Sequence, residues 1–443
     1  MTPLLVAGLY LAAVAWIGFR SRAGSEAKQF LLAGGGASQL LLVGSLLATI
    51  FGSYGVVGVA GEAYKGGLIA GWYHWVGTIG LFLLALWALP RVSLQGVYSL
   101  PELFGVRFGA LARGLMAALI ILSWVFIIAA QFTAAGGLIE ALLPGSRTGA
   151  VLLTSLLTVA YTIRGGQLSV LRTDLLQAVL IAIGLVLLLG AATSRGALSD
   201  LPASYWQFPF SEKLTFGAWL LLLLQFGVPF LIGPDIYSRL LCGRSEGEAR
   251  RAVLVAAPLM IPCVLLITLT GMAARGILGP DATGNVILAV ALQTLPGVLV
   301  GVVAAALLAA FMSSADTCLM TVGTLAARDI PALWGGEPRG TRTAQVTMAV
   351  AGLGAIVLAL QGKAIMDLLR HAYSYYSPAV LAPFVLMLVA PKHRFHWFSA
   401  PLAMGLALAC KWTLPSNLQL VAFTAPLIPL GADLLTNRAP RSS

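Results

Sequence analysis

Charge is scarce in this sequence: Asp, Glu, Lys and Arg make up 10% of its 443 residues, against about 25% in an ordinary soluble domain. Acidic residues are the scarcer sign, with 16 Asp and Glu against 27 Lys and Arg, a net charge of +11. A basic balance of that size raises nucleic acid as a partner. No basic face and no interleaving of aromatic with basic residues supports it, so nucleic acid is excluded. Cysteine is also sparse. Cys242, Cys263, Cys318 and Cys410 are scattered without a CxxC pair, which argues against a disulfide framework or a thiolate metal site. No GxxxxGK[ST] phosphate loop occurs. Neither does a nucleophile–base pair or a His/carboxylate metal cluster, so the chain is not read as an enzyme. Polar stretches long enough for a soluble domain are absent too.

What fills the sequence is apolar: 59% of residues, with a mean hydropathy of +0.92. Spanning about 30 Å of hydrocarbon takes roughly 20 residues of helix. By that measure thirteen stretches qualify, near 3–19, 38–63, 67–90, 110–143, 148–163, 170–194, 214–241, 250–275, 297–325, 343–361, 366–391, 395–411 and 417–435. A short helix is expected at 285–296. The first stretch lacks a basic n-region and a small-residue cleavage site, so it reads as a retained helix. The expected fold is an all-α polytopic membrane protein, a single transmembrane domain over 1–443. With the N-terminus outside and the C-terminus cytoplasmic, 19 of the 27 Lys and Arg fall on the cytoplasmic side, as the positive-inside rule requires.

Two of these spans are interrupted. "SLLATIFGSYGVVGVAG" carries Gly52, Gly55, Gly58 and Gly61, and "LLLLQFGVPFLIGPDIY" carries Gly227, Pro229, Gly233 and Pro234. In a helix interior Gly costs about 1 kcal/mol and Pro about 3. Glycines also allow close helix packing, but paired broken spans in corresponding halves point to a transporter's binding site. The halves would be 38–194 and 214–391, preceded by 1–30 and followed by two peripheral helices and a tail at 395–443.

A third feature is the polar cluster in "LLAAFMSSADTCL". At 100° per residue, Ala310, Ser313, Ser314 and Thr317 share one stripe about 100° wide, with Asp316 at its edge. Ser and Thr hydroxyls commonly join helices. An intramembrane aspartate costs roughly 2.5–3.5 kcal/mol on insertion scales and points to function. Such a stripe opposite the free carbonyls of a broken helix has the chemistry of a small hard cation site. Elsewhere, "YTIRGGQLSVLRTDLLQ" holds a Gly165–Gly166 turn, then Asp174, read either as an interfacial residue paired with Arg172 or Arg164 or as part of a site.

These stretches, in this order, resemble the sodium:solute symporter family, as do "KQFLLAGG" (28–35), "SLPELFGVRFG" (99–109), "GPDIYSRLLCGRSEGEARR" (233–251) and "YSYYSPAVLAP" (373–383). The resemblance implies a five-plus-five inverted-repeat core like that of the bacterial leucine transporter. It implies Na+ as coupling ion, held by the carbonyls of Ala48, Phe51 and Ala310 and the hydroxyls of Ser313 and Ser314. A second cation or proton site, found in some members, would use Asp174 and Thr317 with Ser313. Asp316 stands there where such members carry Ser or Thr, and would strengthen a cation site, carry a proton or bond a neighbouring helix.

Substrate contacts implied by the resemblance are Gly52, Ser53, His74, Gln131, Phe226, Phe230, Arg370 and Tyr373. His74 falls where sugar-carrying members use a carboxylate, and 252–274 lacks their lysine, which argues against a sugar. Arg370 with His74 would suit a carboxylate or an amino acid. The expected function is Na+-coupled uptake of a small organic solute by alternating access, by a monomer in the lipid bilayer of the plasma (inner) membrane. The alternatives are a transporter-like sensor without its own signalling domain and a proton-coupled carrier.

Overall fold

A computed structural model describes residues 1–436, except 22, 23, 25, 363, 364, 392, 394, 415–417 and 419 and the side chains of residues 366 and 370. The described chain is helical. α1 (Thr2–Arg20) and the short α2 (Ala27–Leu32) lead to α3 (Gln39–Ile50), α4 (Val59–Gly66) and α5 (Trp72–Leu83). The long helices α6 (Leu100–Leu142) and α7 (Arg147–Thr193) complete the first half. The second half begins with three short pieces, α8 (Phe216–Leu222), α9 (Val228–Ile232) and α10 (Pro234–Leu240). It continues through α11 (Glu246–Leu278), α12 (Val286–Thr294), α13 (Gly297–Arg328), α14 (Thr341–Leu360) and α15 (Ile365–Val389). α16 (Ser399–Thr413), α17 (Leu420–Thr424) and α18 (Leu427–Thr436) close the described chain.

Helix starts follow their capping chemistry. Ser99 accepts from the Glu102 N–H at 3.1 Å while the Glu102 carboxylate accepts from the Tyr98 N–H at 2.7 Å, a capping-box arrangement at the start of α6. Ser245 at the start of α11 accepts from the Glu248 N–H at 3.1 Å, and Asn285 at the start of α12 accepts from the Leu288 N–H at 3.2 Å. Among the described residues, nine helices are long and apolar enough to cross a membrane, or ten if α3 and the 54–66 helix count as one bent span. The sequence reading counts thirteen, and the difference has a local cause. α7 runs 47 residues, about 70 Å if straight, yet Gly166 inside it has φ 58° and ψ −157°. That backbone kinks α7 in a conformation an L-residue rarely adopts. Toward the C-terminus, α16 has 15 residues and the 420–436 segment is likewise shorter than a standard span.

The first broken span bends by 57° between 39–50 and 54–66. Its break falls at Phe51–Ser53, with Phe51 at φ −91° and ψ 46°. A π-turn over Tyr54–Gly58 then leads back into α4. The second broken span has a π-turn at Leu223–Gly227 and breaks at Gly233, whose ψ of 117° leaves the helix before Pro234 starts α10. Both prolines of this span sit in the first turn of a helical piece, where a missing N–H costs nothing.

α13 is the axis of the molecule. It packs on α7, α6, α1, α14 and α3, and from Val303 to Leu325 every residue is buried. Its run of Ala, Ser and Gly lets neighbours approach closely. The outward faces carry Leu5, Leu9, Trp16, Leu122, Leu153 and Leu353, each more than half exposed, a surface that suits lipid and not water.

Candidate cation and solute sites

The site begins with a backbone problem. In an unbroken helix the Thr49 carbonyl would accept from the Ser53 N–H. Here that N–H donates to Gln131 Oε1 at 2.8 Å, so the carbonyl is free. It faces α13, where Ser314 Oγ donates to it at 2.9 Å. One residue back, the Ala48 carbonyl accepts from Ser313 Oγ at 2.8 Å. Both hydroxyls also lie against the Ala310 carbonyl, at 3.0 and 3.3 Å. Five hard, uncharged oxygens thus converge from α3 and α13: three carbonyls and two hydroxyls. That donor set fits a small monovalent cation. The contact is close because position 52 has no side chain: a Cβ there would sit 2.4 Å from Ser314 Oγ and 3.2 Å from Gln131 Oε1.

Beside this cluster lies a cavity of about 70 Å³, with Gly52 and Ser314 in its wall. His74 from α5, Phe226 and Phe230 from the second broken span, Gln131 from α6 and Tyr373 from α15 also face it. His74 is 2% exposed, and its ring nitrogens make no hydrogen bond of ordinary geometry among the described residues. The Tyr54 and Phe226 rings stack at 5.1 Å, and Tyr373 meets Phe226 edge-on at 6.2 Å. Phe226 and Tyr373 also line a second, wider space of about 590 Å³ that includes Lys213, His371 and Lys411. Two aromatic side chains therefore separate the inner cavity from a vestibule.

Asp174 is fully buried and does not pair with either nearby arginine. Arg172 donates to Ser21 Oγ at 3.2 Å, and the Arg164 guanidinium lies over the Phe19 ring at 5.9 Å. The partner of Asp174 is Arg239, from α10, at 3.2 Å, with both side chains inaccessible to solvent. Ser45 also donates to Asp174. The Arg239 guanidinium is further tied to Ser45 Oγ at 3.0 Å and Thr49 Oγ1 at 2.9 Å. Thr49 reaches Thr317 Oγ1 at 3.2 Å, and Thr317 donates to the Ser313 carbonyl at 2.5 Å. Asp316 accepts from the Tyr161 hydroxyl at 2.6 Å.

The family model of the sodium:solute symporter family matches residues 30–394. The chain belongs to the sodium:solute symporter family. It is 25% identical to the sodium/glucose cotransporter of Vibrio parahaemolyticus, over 88% of this chain and 81% of that one. It is 26% identical to the high-affinity choline transporter 1 of Drosophila melanogaster, over 95% of this chain and 71% of the relative. In fold it is similar to a Na+-coupled sialic acid symporter in a substrate-bound outward-open state, with a TM-score of 0.81, 19% identity, and coverage of 97% of this chain and 96% of the other. It is also similar to MhsT in complex with L-phenylalanine, with a TM-score of 0.64, 15% identity, and coverage of 90% and 99%. As a symporter of this family the protein is a sodium-coupled membrane transporter rather than an enzyme.

Against that background the sequence-derived residues separate. Ala48, Ala310, Ser313 and Ser314 of this symporter come together, and the Thr49 carbonyl joins them. Phe51 sits at the break, with its ring 5.5 Å from His74. Gly52, His74, Gln131, Phe226, Phe230 and Tyr373 share the cavity, and Ser53 is joined to it through Gln131. The Arg370 side chain lies outside the described residues. Thr49, Arg239 and Asp235 were missed by sequence reasoning. Arg239, counted only among the basic residues of the charge bias, has a fully buried side chain. Asp235, which follows the Gly233–Pro234 break, faces the cavity; an acidic residue directly after that break was the signal available.

Proposed function

We propose that this symporter carries one Na+ together with a small organic solute into the cell by alternating access. Na+ would be held by the carbonyls of Ala48, Thr49 and Ala310 and the hydroxyls of Ser313 and Ser314. The solute would occupy the adjoining cavity. The observation that carries this reading is the shared wall: Ser314 belongs to both the oxygen cluster and the cavity. A cation there ties the end of α3 to α13 and so fixes Gly52 and Ser314 as the solute meets them. Binding of either ligand then favours the same conformation, which is what coupling requires.

One ion, not two, is our reading of the Asp174 region, because a guanidinium already supplies the positive charge there. Asp316 and Thr317 then act in joining helices, through Tyr161 and Thr49. Each Na+ entering down a potential contributes about 2.3 kcal/mol per 100 mV, and a tenfold concentration gradient adds about 1.4. Together these can sustain a solute gradient of several hundredfold. The architecture that goes with this reading has thirteen spans: the turn at Gly166 divides α7 into two, and 399–413 and 420–436 cross as the peripheral pair. Repeats at 38–194 and 214–391 are related by inversion, the N-terminus is outside and the C-terminus cytoplasmic. The protein acts as a monomer in the plasma (inner) membrane.

The test is thermal unfolding of the purified protein in NaCl and in equal KCl, for wild type and Ser313→Ala. A ligand specific for the native state stabilises it by about 2.7 kcal/mol at a hundred times Kd. A sodium-specific rise in Tm, lost in the variant, is expected. Superimposable curves in the two salts would overturn the proposal.

A further inference from the structure

The chemistry of the cavity wall says something about the solute that the cation site does not. Pro234 and Ile236 are buried, but Asp235 between them is partly exposed, and it lines the cavity. Its carboxylate accepts from the backbone N–H groups of Asp235 and Ile236, as suits the first turn of a helix. Those bonds leave lone pairs unused, since an ionised carboxylate offers about four acceptor positions.

The obvious counter-charge is engaged elsewhere. Arg239 lies one turn along α10, but its guanidinium is paired with Asp174 and bonded to Ser45 and Thr49. Toward Asp235 its hydrogen bond goes to the backbone carbonyl, at 3.3 Å, and its charge attracts the carboxylate without an ion-pair contact. Among the described residues no Lys, Arg or His forms an ion pair with the Asp235 carboxylate. The remaining wall is aromatic: Tyr54, Phe226, Phe230 and Tyr373 face the same space. Ring faces attract cations and pack against N-methyl or methylene groups. A lone carboxylate beside several rings is a cage for an ammonium group. His74 adds a buried side chain that lines the cavity, with one ring nitrogen against the Ile50 carbonyl and the other without a hydrogen-bond partner among the described residues. It can meet a hydroxyl or carboxylate on the same solute.

We propose that the solute is a small ammonium compound whose positively charged nitrogen sits between Asp235 and the Tyr54, Phe226, Phe230 and Tyr373 rings, with a hydrogen-bonding group against His74. The inference rests on the symport reading above and narrows it. It retains the amino-acid half of the sequence expectation and replaces the simple carboxylate, which Asp235 would repel.

The experiment measures Tm of the purified, full-length protein in NaCl and in KCl, alone and with separate probes. Choline, glycine betaine, L-proline and putrescine carry a cationic nitrogen; acetate, pyruvate and glucose do not. At least one probe of the first group is expected to raise Tm in NaCl, with little effect in KCl, and none of the second group to do so. Asp235→Asn should raise the half-saturating concentration of the active probe at least tenfold while keeping the sodium-specific shift. Phe226→Ala should weaken the same probe without altering folding of the Asp235 segment. Stabilisation by acetate, pyruvate or glucose, silence of all four cationic probes, or unchanged binding in Asp235→Asn would each overturn this inference while leaving the symport reading standing. Loss of the sodium-specific shift in wild type would overturn the symport reading itself.

Discussion

Gly52 and Gly61 look equivalent in the sequence, two glycines of one broken span, and the structure makes opposite predictions for them. At position 61 a Cβ would meet nothing within 4 Å. Gly61→Ala in α4 should therefore be neutral or stabilise by up to about 1 kcal/mol through helix propensity. At position 52 the Cβ would sit 2.4 Å from Ser314 Oγ and 3.1 Å from Ser314 Cβ, about 1 Å inside ordinary contact. Ser314 is not free to yield: its hydroxyl is held by the Thr49 and Ala310 carbonyls, and turning it into the cavity it lines would give up both bonds. The strain must separate α3 from α13, at an overpacking cost of about 1–3 kcal/mol. Separation pulls the Thr49 carbonyl and the Ser314 hydroxyl apart, so two of the five oxygens lose their common centre. Gly52→Ala should lower Tm modestly in KCl and raise the sodium concentration for half-maximal stabilisation at least about tenfold, or some 1.4 kcal/mol. The assay is a Tm titration with NaCl at constant ionic strength, with Gly61→Ala as the matched control. If Gly52→Ala kept the wild-type sodium midpoint, the cation would not lie between these two helices and the reasoning would fail.

Three further outcomes follow from the same contacts. Gln131→Ala leaves the buried Ser53 N–H without its acceptor, which should cost about 1–3 kcal/mol; the helix break should tend to close on Thr49, and sodium stabilisation should fall with it, while Gln131→Glu should retain more of both. Arg239→Gln strands a buried carboxylate at Asp174 and should destabilise by about 3–5 kcal/mol; Asp174→Asn combined with it should recover much of the loss, and simple additivity in chemical or thermal unfolding would refute the pairing. Cys318 lines the inner cavity behind Phe226 and Tyr373, so a small thiol reagent should label it slowly in wild type and faster in Phe226→Ala, as read by mass spectrometry. Equal rates would mean that the aromatic pair is not the barrier.

Much of this was legible in the sequence because it depends on local pattern. Ser313 and Ser314 stand one turn beyond Ala310 on an apolar helix, and that spacing alone puts two hydroxyls beside one carbonyl. The glycines of 52–61 and the Gly/Pro pairs of 227–234 marked the two breaks, since no apolar span keeps such residues without a reason. What local pattern could not give was partnership at a distance. Asp174 and Arg239 are 65 positions apart, so a reading confined to neighbours offered Arg172 and Arg164 instead. The exact carbonyl facing Ser314 depends on where α3 stops, and that is decided by Gln131 on another helix capturing the Ser53 N–H. Asp235 was visible as an acidic residue after Gly-Pro, but only the packing of α10 against the cavity gives it a role.

The central claim is that the end of α3 and the hydroxyls of α13 bind sodium beside the solute. Equilibrium binding of radioactive sodium to the purified protein tests it most directly, in wild type and in Ser314→Ala. The account predicts saturable binding with a stoichiometry near one in wild type, displaced by unlabelled NaCl but not by KCl, and lost or weakened at least tenfold in the variant. Saturable binding that is unchanged by Ser314→Ala would contradict it.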